Sequence, residues 1–177
     1  MTTEEHVVLN GIDVTEFEEA LKLVAATPGA HRAPKASRVR WAGGLKFKVG
    51  VRNHTFLVDE PPHLKGEDTA PNAVEYVLGA YGACLATGFV LNATRRGIAI
   101  HNLELALDST QDNAFSFLGI NDEGHSGLDR VRVKLYVQAD ADEATLQEVW
   151  QHTLRTSPVG NSLTRVVDIE AELAVFP

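Results

Sequence analysis

The chain has 177 residues, with 16 lysines and arginines against 24 acidic residues, so its net charge is −8 at pH 7. This length suits one domain with a substantial core. The acidic balance disfavours nucleic acid and anionic membranes as partners. The single cysteine, Cys84, excludes an intrachain disulfide and a zinc site built from several cysteines.

The first residues are polar and acidic and do not have the basic and apolar regions of a signal peptide. No run approaches the roughly 18 unbroken apolar residues of a membrane span. Together with the single cysteine, these features predict a soluble protein in a reducing, cytoplasmic compartment.

The first 36 residues are predicted to form a helix and a connector. Thr15 and Glu18 have the spacing of an N-terminal capping box, and apolar residues recur at helical spacing until Pro28 and Gly29. A basic, proline-containing stretch follows at 30–36. We therefore predict an N-terminal helix and connector arm at 1–36 and a main domain at 37–177.

Alternating apolar residues between Arg38 and Val58 predict a series of short strands joined by glycine and asparagine turns. A loop rich in proline, glycine and acidic residues follows, up to Pro71. After a long central helix, the expected elements are a strand at 103–107, a loop at 115–129, a strand at 131–137, a helix from Asp142, a short helix after Ser157 and a closing strand at 167–175. This order of strands and helices indicates an α+β fold.

The central helix is the most informative segment. Asn72 is a good N-cap, Glu75 suits the first turn, and Gly97 follows the predicted end at Arg96. No residue from 77 to 90 is charged, so this stretch is apolar on all faces and must be covered on all faces. A chain of this size supplies one sheet and about one further helix as cover. We therefore expect a homodimer whose core contains this helix.

Cys84 lies in the middle of this helix and has two interpretations. A lone cysteine among apolar residues is commonly a small buried hydrophobe. A reactive cysteine needs its thiolate form, which a nearby cation favours, and the helix N-terminus is too far away to supply that charge. Candidate cations stand upstream in the chain: Arg32, Arg38, Arg40, Lys46, Lys48 and Arg52.

Two further residues have both a structural and a functional interpretation. Glu75 suits the first turn as the partner of Asn72, but it also lies about two and a half turns before Cys84 and could orient an arginine or a substrate there. Ser157 is most simply a helix cap, followed by Pro158 at the first helical position.

The sequence predicts neither a metal site nor a nucleotide cofactor. The seven histidines include no pair at i,i+4 spacing, which disfavours a metal centre. The glycines do not form a phosphate-binding loop between a strand and a helix.

Three runs of the sequence resemble the OsmC/Ohr family of osmotically induced and organic-hydroperoxide-resistance proteins. They are RVRWAGGLKFKVG, HTFLVDEPPHLKGEDTAPNAVEYVLGAYGACLATGFVLNATRRGI and SPVGNSL. The resemblance extends over residues 38–175, with the N-terminal helix as an addition. It implies an OsmC-like α+β fold in which an antiparallel sheet wraps around long central helices in an intertwined homodimer.

The resemblance also implies roles for individual residues. The family's peroxidatic cysteine falls on Cys84, and its second, resolving cysteine falls on Ser157. Peroxidase members have a glutamate directly after an Asn-Pro pair, whereas here Glu75 comes one place later, about 100° further around the helix, so that the equivalence is partial. The activating arginine has no single match, and its candidates are Arg38, Arg40 and Arg52.

Two functions follow as hypotheses. The first is a one-cysteine, thiol-dependent peroxidase that reduces organic hydroperoxides in the oxidative stress response, with an external thiol in place of the missing second cysteine and no other cofactor. Its substrate would contact Tyr81, Phe89, Phe115 and Phe117. The second is a non-catalytic dimeric module that binds a small apolar ligand, with Cys84 as a packing residue. A polar partner at the Cys84 sulfur would favour the first, and purely aliphatic surroundings the second.

Overall fold

The computed structural model describes residues 7–175. Its elements, in chain order, are β1 (Val8–Leu9), β2 (Ile12–Asp13), α1 (Val14–Ala26), β3 (Arg38–Trp41), β4 (Phe47–Val51), β5 (His54–Val58), a 3₁₀ turn (Pro62–Leu64), α2 (Ala73–Arg95), β6 (Ile100–Gln111), α3 (Ala114–Phe117), β7 (Leu128–Ala139), α4 (Glu143–Thr156) and α5 (Pro158–Thr164). The strands pair antiparallel as β1-β2, β3-β4-β5 and β6-β7. This mixture confirms the predicted α+β class.

Helix α2 begins and ends close to where its capping residues predict. The Asn72 side chain accepts a hydrogen bond from the Glu75 backbone N–H, and the Glu75 carboxylate accepts one from the Asn72 N–H. After Arg95 the chain leaves the helix through Gly97, whose φ of 73° favours glycine. By length and composition α2 is also apolar enough to cross a membrane, a test that core helices of soluble proteins pass as well.

The core forms where α2 crosses the β6–β7 hairpin and α4. Phe89 and Ala93 of α2 are completely buried together with Val149 of α4. Leucines of β6 pair with apolar residues of β7, as in Leu105 opposite Leu135, so their side chains share the sheet face that packs on the helix. The hairpin packs tightly on α2 at Gly82, where a Cβ atom would lie 2.8 Å from a Leu107 methyl group.

The N-terminal helix exists as predicted, but its cap is different. Asp13 accepts a hydrogen bond from the Glu16 N–H at 2.9 Å and caps α1, which begins at Val14. The predicted capping box of Thr15 and Glu18 is therefore wrong. The physical reason is that the β1–β2 hairpin leads directly into the helix, so that Thr15 already lies inside its first turn.

The β1–β2 turn fastens this N-terminal segment to the rest of the fold. Asn10 lies in the turn with a φ of 54°, a conformation that asparagine tolerates better than most residues. Its side chain donates to the Thr94 hydroxyl and to the Ile98 carbonyl and accepts from the Ile100 N–H, with distances of 2.8 to 2.9 Å. Three bonds to the end of α2 and the start of β6 place α1 beside α2.

The sheet of β3, β4 and β5 meets α2 near the start of that helix. The rings of Phe56 and Tyr76 are 4.9 Å apart, and the Tyr76 hydroxyl donates to the Leu57 carbonyl at 2.7 Å. Val39 and Trp41 of β3 remain largely exposed. The sheet therefore contacts α2 through β5 and leaves apolar side chains of β3 exposed.

The acidic loop after β5 is organised by the carboxylate of Asp59, which is buried. This carboxylate accepts hydrogen bonds from the Thr69 N–H and hydroxyl, at 3.0 and 2.7 Å, and from the N–H groups of Glu60 and Glu67. The bonds from Thr69 contribute most to lowering the pKa of Asp59 from 3.8 to about 2. These bonds favour the charged form of the carboxyl, and they hold the loop around the residue that follows β5.

We predict that Asp59→Asn unfolds at a lower urea concentration than the wild type at neutral pH. A carboxyl whose pKa is lowered by folding stabilises the fold above its unfolded-state value of 3.8, and this contribution is lost as the pH falls toward about 2. The difference between the two urea midpoints should therefore shrink below pH 3.8. Equal midpoints at neutral pH would contradict the assignment, and Asp68→Asn, in the same loop, is the control.

The predicted closing strand at 167–175 is wrong for the isolated chain. This segment pairs with no strand among the described residues, and its apolar side chains are exposed, with Ile169 and Leu173 both 86% accessible and Val175 79%. Alternation of apolar residues indicates a strand with one buried face, but a strand also needs a neighbour to bond to.

The predicted loop at 115–129 contains the end of the short helix α3.

Candidate functional site

Cys84 lies half-buried in the middle of α2, and its nearest polar partner is Ser157. The Cys84 Sγ and Ser157 Oγ atoms are 3.3 Å apart, although the two residues are separated by 73 positions in the chain. Packing of α2 against the junction of α4 and α5 brings them together. The structure thus joins two of the residues that the sequence singles out.

The surroundings of Ser157 determine what its hydroxyl can do. Ser157 is only 3% exposed and caps α5, where its Oγ accepts a hydrogen bond from the Gly160 N–H at 3.0 Å. A hydroxyl has one hydrogen to donate, and the Gly160 bond does not use it. A thiolate at Cys84 can only accept, so the Ser157 hydroxyl would donate to it in a charge-assisted bond.

A groove of about 590 Å³ opens beside Cys84. Ala80 and Ala83 of α2 form its floor with Cys84, and Thr156 and Pro158 form one side at the α4–α5 junction. Phe17 and Leu21 of α1 form another side. The volume lies in the range of small-molecule sites, and the lining is mainly apolar.

The cation that lines this groove is Arg95. Its Nε atom lies 3.0 Å from the Glu18 carboxylate of α1. Arg95 is about three turns from Cys84 along α2, a rise of roughly 16 Å, and so lies at the far end of the groove. The sequence suggests Arg95 only as a favourable charge in the last turn of a helix, because its partner is 77 positions away.

The arginines proposed from the sequence lie in the sheet of β3, β4 and β5. Arg38 and Arg40 are exposed on β3, and Arg52 occupies the turn between β4 and β5 with a φ of 54°. Among the described residues, the groove lining includes Arg95 but none of these three. A role for them at Cys84 remains a prediction.

Glu75 is engaged at the start of α2. Its carboxylate accepts the Asn72 N–H at 2.8 Å and completes the capping box. Burial raises the pKa of nearby Glu60, and the negative charge of Glu75 raises it further. The structure therefore shows Glu75 as a capping residue close to a second carboxylate, and its role in orienting an arginine stays a prediction.

The four aromatic residues predicted to contact substrate do not line the Cys84 groove. Phe89 is completely buried in the core and stacks at a tilt against Trp150. Tyr81 lines a separate groove of about 510 Å³. Phe115 and Phe117 are exposed on α3. The aromatic side chain in the groove lining is instead Phe17 of α1, and its i,i+4 spacing with Leu21 was the available signal.

Within residues 7–175, no three histidine, cysteine, aspartate or glutamate side chains are grouped so that they could hold a metal ion. The arrangement that the structure offers is a thiol beside a hydroxyl donor at the edge of an apolar groove. Such an arrangement suits nucleophilic chemistry of sulfur on an apolar substrate.

Solved structures with the same fold include an OsmC-like protein from Mycoplasma pneumoniae (TM-score 0.65, 15% identity, covering 76% of this chain and 90% of that one). An organic hydroperoxide resistance protein OsmC from Legionella pneumophila is also similar (TM-score 0.54, 14% identity, 75% and 90%). The organic hydroperoxide resistance protein OhrB of Bacillus subtilis gives a TM-score of 0.51 at 19% identity, covering 80% and 98%. At these identities the likeness shows the fold.

No curated protein matches the chain. The family model described as OsmC-like protein matches residues 66–172, which include α2, both strands of the long hairpin, Cys84 and Ser157. Because this match spans more than half of the sequence, the chain belongs to the OsmC-like protein family.

Proposed function

We propose that this protein is a cytoplasmic, one-cysteine, thiol-dependent peroxidase that reduces organic hydroperoxides in the oxidative stress response, with Cys84 as the nucleophile. The observation that carries the proposal is the contact of 3.3 Å between Cys84 Sγ and the buried Ser157 hydroxyl at the edge of an apolar groove. A cysteine that served only for packing would not need a buried polar partner, so this contact favours the peroxidase over the binding module.

The first step is attack of the Cys84 thiolate on the terminal oxygen of the hydroperoxide. An S–O bond forms, the O–O bond breaks, and the alkoxide that leaves takes a proton to become an alcohol. Cys84 is thereby oxidised to the sulfenic acid and the peroxide is reduced. The Ser157 hydroxyl holds the sulfur in place and donates to its negative charge before the attack.

The second step needs a thiol from outside the chain, because the sequence contains no second cysteine. That thiol attacks the sulfenic acid, an S–S bond forms and water leaves. A second external thiol then attacks the mixed disulfide. Cys84 is released as the thiolate, and the two external thiols leave together as a disulfide. In sum, two thiols and one hydroperoxide give one disulfide, one alcohol and one water, without a further cofactor.

The groove supports an organic substrate over hydrogen peroxide. Its lining beside Cys84 consists mainly of alanine, phenylalanine, leucine and proline side chains. When an alkyl or aryl group enters this groove, its apolar surface is removed from water. This burial is favourable by about 25 cal/mol for each Å². Hydrogen peroxide has no apolar group and so does not gain this favourable free energy of burial.

We include a homodimer in the proposal because apolar surface remains exposed in the single chain. Trp41 of β3, Phe117 of α3 and the segment at 166–175 are largely accessible, and Val166 is 98% exposed. Exposed apolar areas of this extent are typical of interfaces. Light scattering on the purified protein should give twice the mass of one chain, and a monomeric mass would contradict the dimer.

Turnover assays with cumene hydroperoxide and dithiothreitol test the proposed activity. We expect the wild type to consume the peroxide and Cys84→Ser to lose that activity, because a hydroxyl is a far weaker nucleophile than a thiolate. Ser162→Ala, an exposed position on α5, is the matched control and should retain turnover. Equal turnover by wild type and Cys84→Ser would contradict the assignment. An inactive wild type that carries an apolar ligand in native mass spectrometry would favour the binding module.

A further inference from the structure

Helix α1 forms a wall of the Cys84 groove with one of its faces. Phe17 and Leu21 are half-buried and line the groove, whereas Leu23, on the opposite side of the helix, is 70% exposed. The groove is thus bounded by α2, by the α4–α5 junction and by a helix from the start of the chain.

Two separate attachments hold α1 at this place. The Asn10 side chain makes three hydrogen bonds at the C-terminal end of α2, just before α1 begins. Within α1, the Glu18 carboxylate pairs with Arg95, which itself lines the groove. Phe17 is one residue before Glu18, and Leu21 is three residues after it. The attachments therefore hold both apolar side chains at the groove that they line.

The wall also lies outside the segment that the family model matches, which begins at residue 66. The chemistry at Cys84 and Ser157 belongs to that matched segment. The N-terminal unit therefore adds an apolar boundary to a site whose reacting atoms come from elsewhere in the chain.

We infer that Phe17 and Leu21 determine the size of the organic group that reaches Cys84, so that α1 is the specificity element of the site. This inference rests on the proposed function for the identity of the substrate as an organic hydroperoxide. We expect compact alkyl or single-ring groups to reach Cys84 more readily than larger fused rings, because Phe17 and Leu21 bound the groove on one side. Shortening either side chain widens the groove without changing the thiol or its hydroxyl partner.

Labelling of the thiol measures this access independently of peroxidase activity. Cys84 is the one cysteine of the chain, so a maleimide reports on it alone. N-ethylmaleimide and N-(1-pyrenyl)maleimide carry the same electrophile on groups of different size. The measured quantity is the ratio of the pyrenyl rate to the ethyl rate, which cancels changes in the reactivity of the thiol.

We expect Phe17→Ala and Leu21→Ala to raise this ratio by about tenfold, the discrimination that a few methylene groups make in an apolar pocket. Leu23→Ala, on the exposed part of the same helix, is the matched control and should leave the ratio unchanged. Leu21→Val removes a single methylene group and should give a smaller increase, which guards against an Ala variant that fails to fold. Circular dichroism checks the helix content of each variant.

A ratio that stays at the wild-type value in folded Phe17→Ala and Leu21→Ala would overturn the inference. An equal rise in Leu23→Ala would also overturn it, since general loosening of α1 would then be the cause. Turnover of tert-butyl and cumene hydroperoxide by the same variants tests the proposed function separately. A raised labelling ratio without turnover in any variant would support the inference that Phe17 and Leu21 limit access to Cys84. The same result would refute the proposed peroxidase activity.

Discussion

The Ser157→Cys variant is expected to form a disulfide with Cys84 when it is treated with an alkyl hydroperoxide. The present Sγ–Oγ distance is 3.3 Å, and a disulfide needs its two sulfur atoms about 2.05 Å apart, which small side-chain rotations can supply. Peroxide first oxidises Cys84 to the sulfenic acid. The new thiol then attacks that sulfur, an S–S bond forms and water leaves.

This cross-link should have a large effect on stability. It closes a loop between positions 73 residues apart, for which the chain-entropy estimate is a stabilisation of about 4 kcal/mol. Urea unfolding of the oxidised and reduced forms of the variant measures the difference directly. Titration of free thiols should fall from two for each chain to none on treatment with peroxide.

Ser162→Cys provides the matched control for the disulfide. Ser162 lies on the same short helix, but it is exposed and its hydroxyl bonds to the Pro158 carbonyl rather than to Cys84. This variant should form no intrachain disulfide under the same conditions. Two free thiols for each chain in peroxide-treated Ser157→Cys would contradict the combination of a peroxide-sensitive Cys84 and a neighbouring position 157.

Phe89→Ala is expected to destabilise the protein by roughly 3–5 kcal/mol, the usual cost of removing a buried phenylalanine from a core. The Phe89 ring is 0% exposed and lies in the cluster with Ala93, Ile98 and Val149. Its removal leaves a cavity where α2, α4 and the β6–β7 hairpin meet. Urea or thermal unfolding measures the loss.

Leu23→Ala is the control for this experiment. Leu23 of α1 is 70% exposed, and a surface substitution of this kind usually changes stability by less than about 0.5 kcal/mol. A Phe89→Ala protein of wild-type stability with altered preference among hydroperoxides would contradict the placement of Phe89 in the core. It would return Phe89 to the role of a substrate contact that the sequence suggests.

The elements that the sequence predicts well are those whose signals are local. Asn72 and Glu75 are three positions apart and cap α2 with bonds between their own backbone and side chains. Ser157 and Pro158 mark the start of α5 in the same way. Such signals need no knowledge of the tertiary fold.

The elements that the sequence misses depend on partners far away in the chain. The strand predicted at 167–175 has the right alternation but no described neighbour to pair with. Phe89 belongs to an apolar helix whose faces look alike in the sequence, so its choice between core and groove depends on where the hairpin packs. The Arg95–Glu18 pair and the Asn10 bonds join positions 77 to 90 residues apart.

The contact of Cys84 with Ser157 is partly indicated by the sequence and partly set by tertiary packing. The family resemblance places the second cysteine's position at Ser157, and the packing of α2 on the α4–α5 junction brings the two atoms to 3.3 Å. What neither supplies is the resolving thiol. We therefore propose that Cys84 alone carries the oxidation and that an outside thiol reverses it.

Mass spectrometry of the wild type after treatment with one equivalent of cumene hydroperoxide, without any thiol, tests this claim most directly. We expect the protein to gain one oxygen atom, peptide mapping to place it on the Cys84 sulfur, and dithiothreitol to remove it. A Cys84 that remains a free thiol, with the peroxide unconsumed or the oxygen found only on the single methionine, would contradict it.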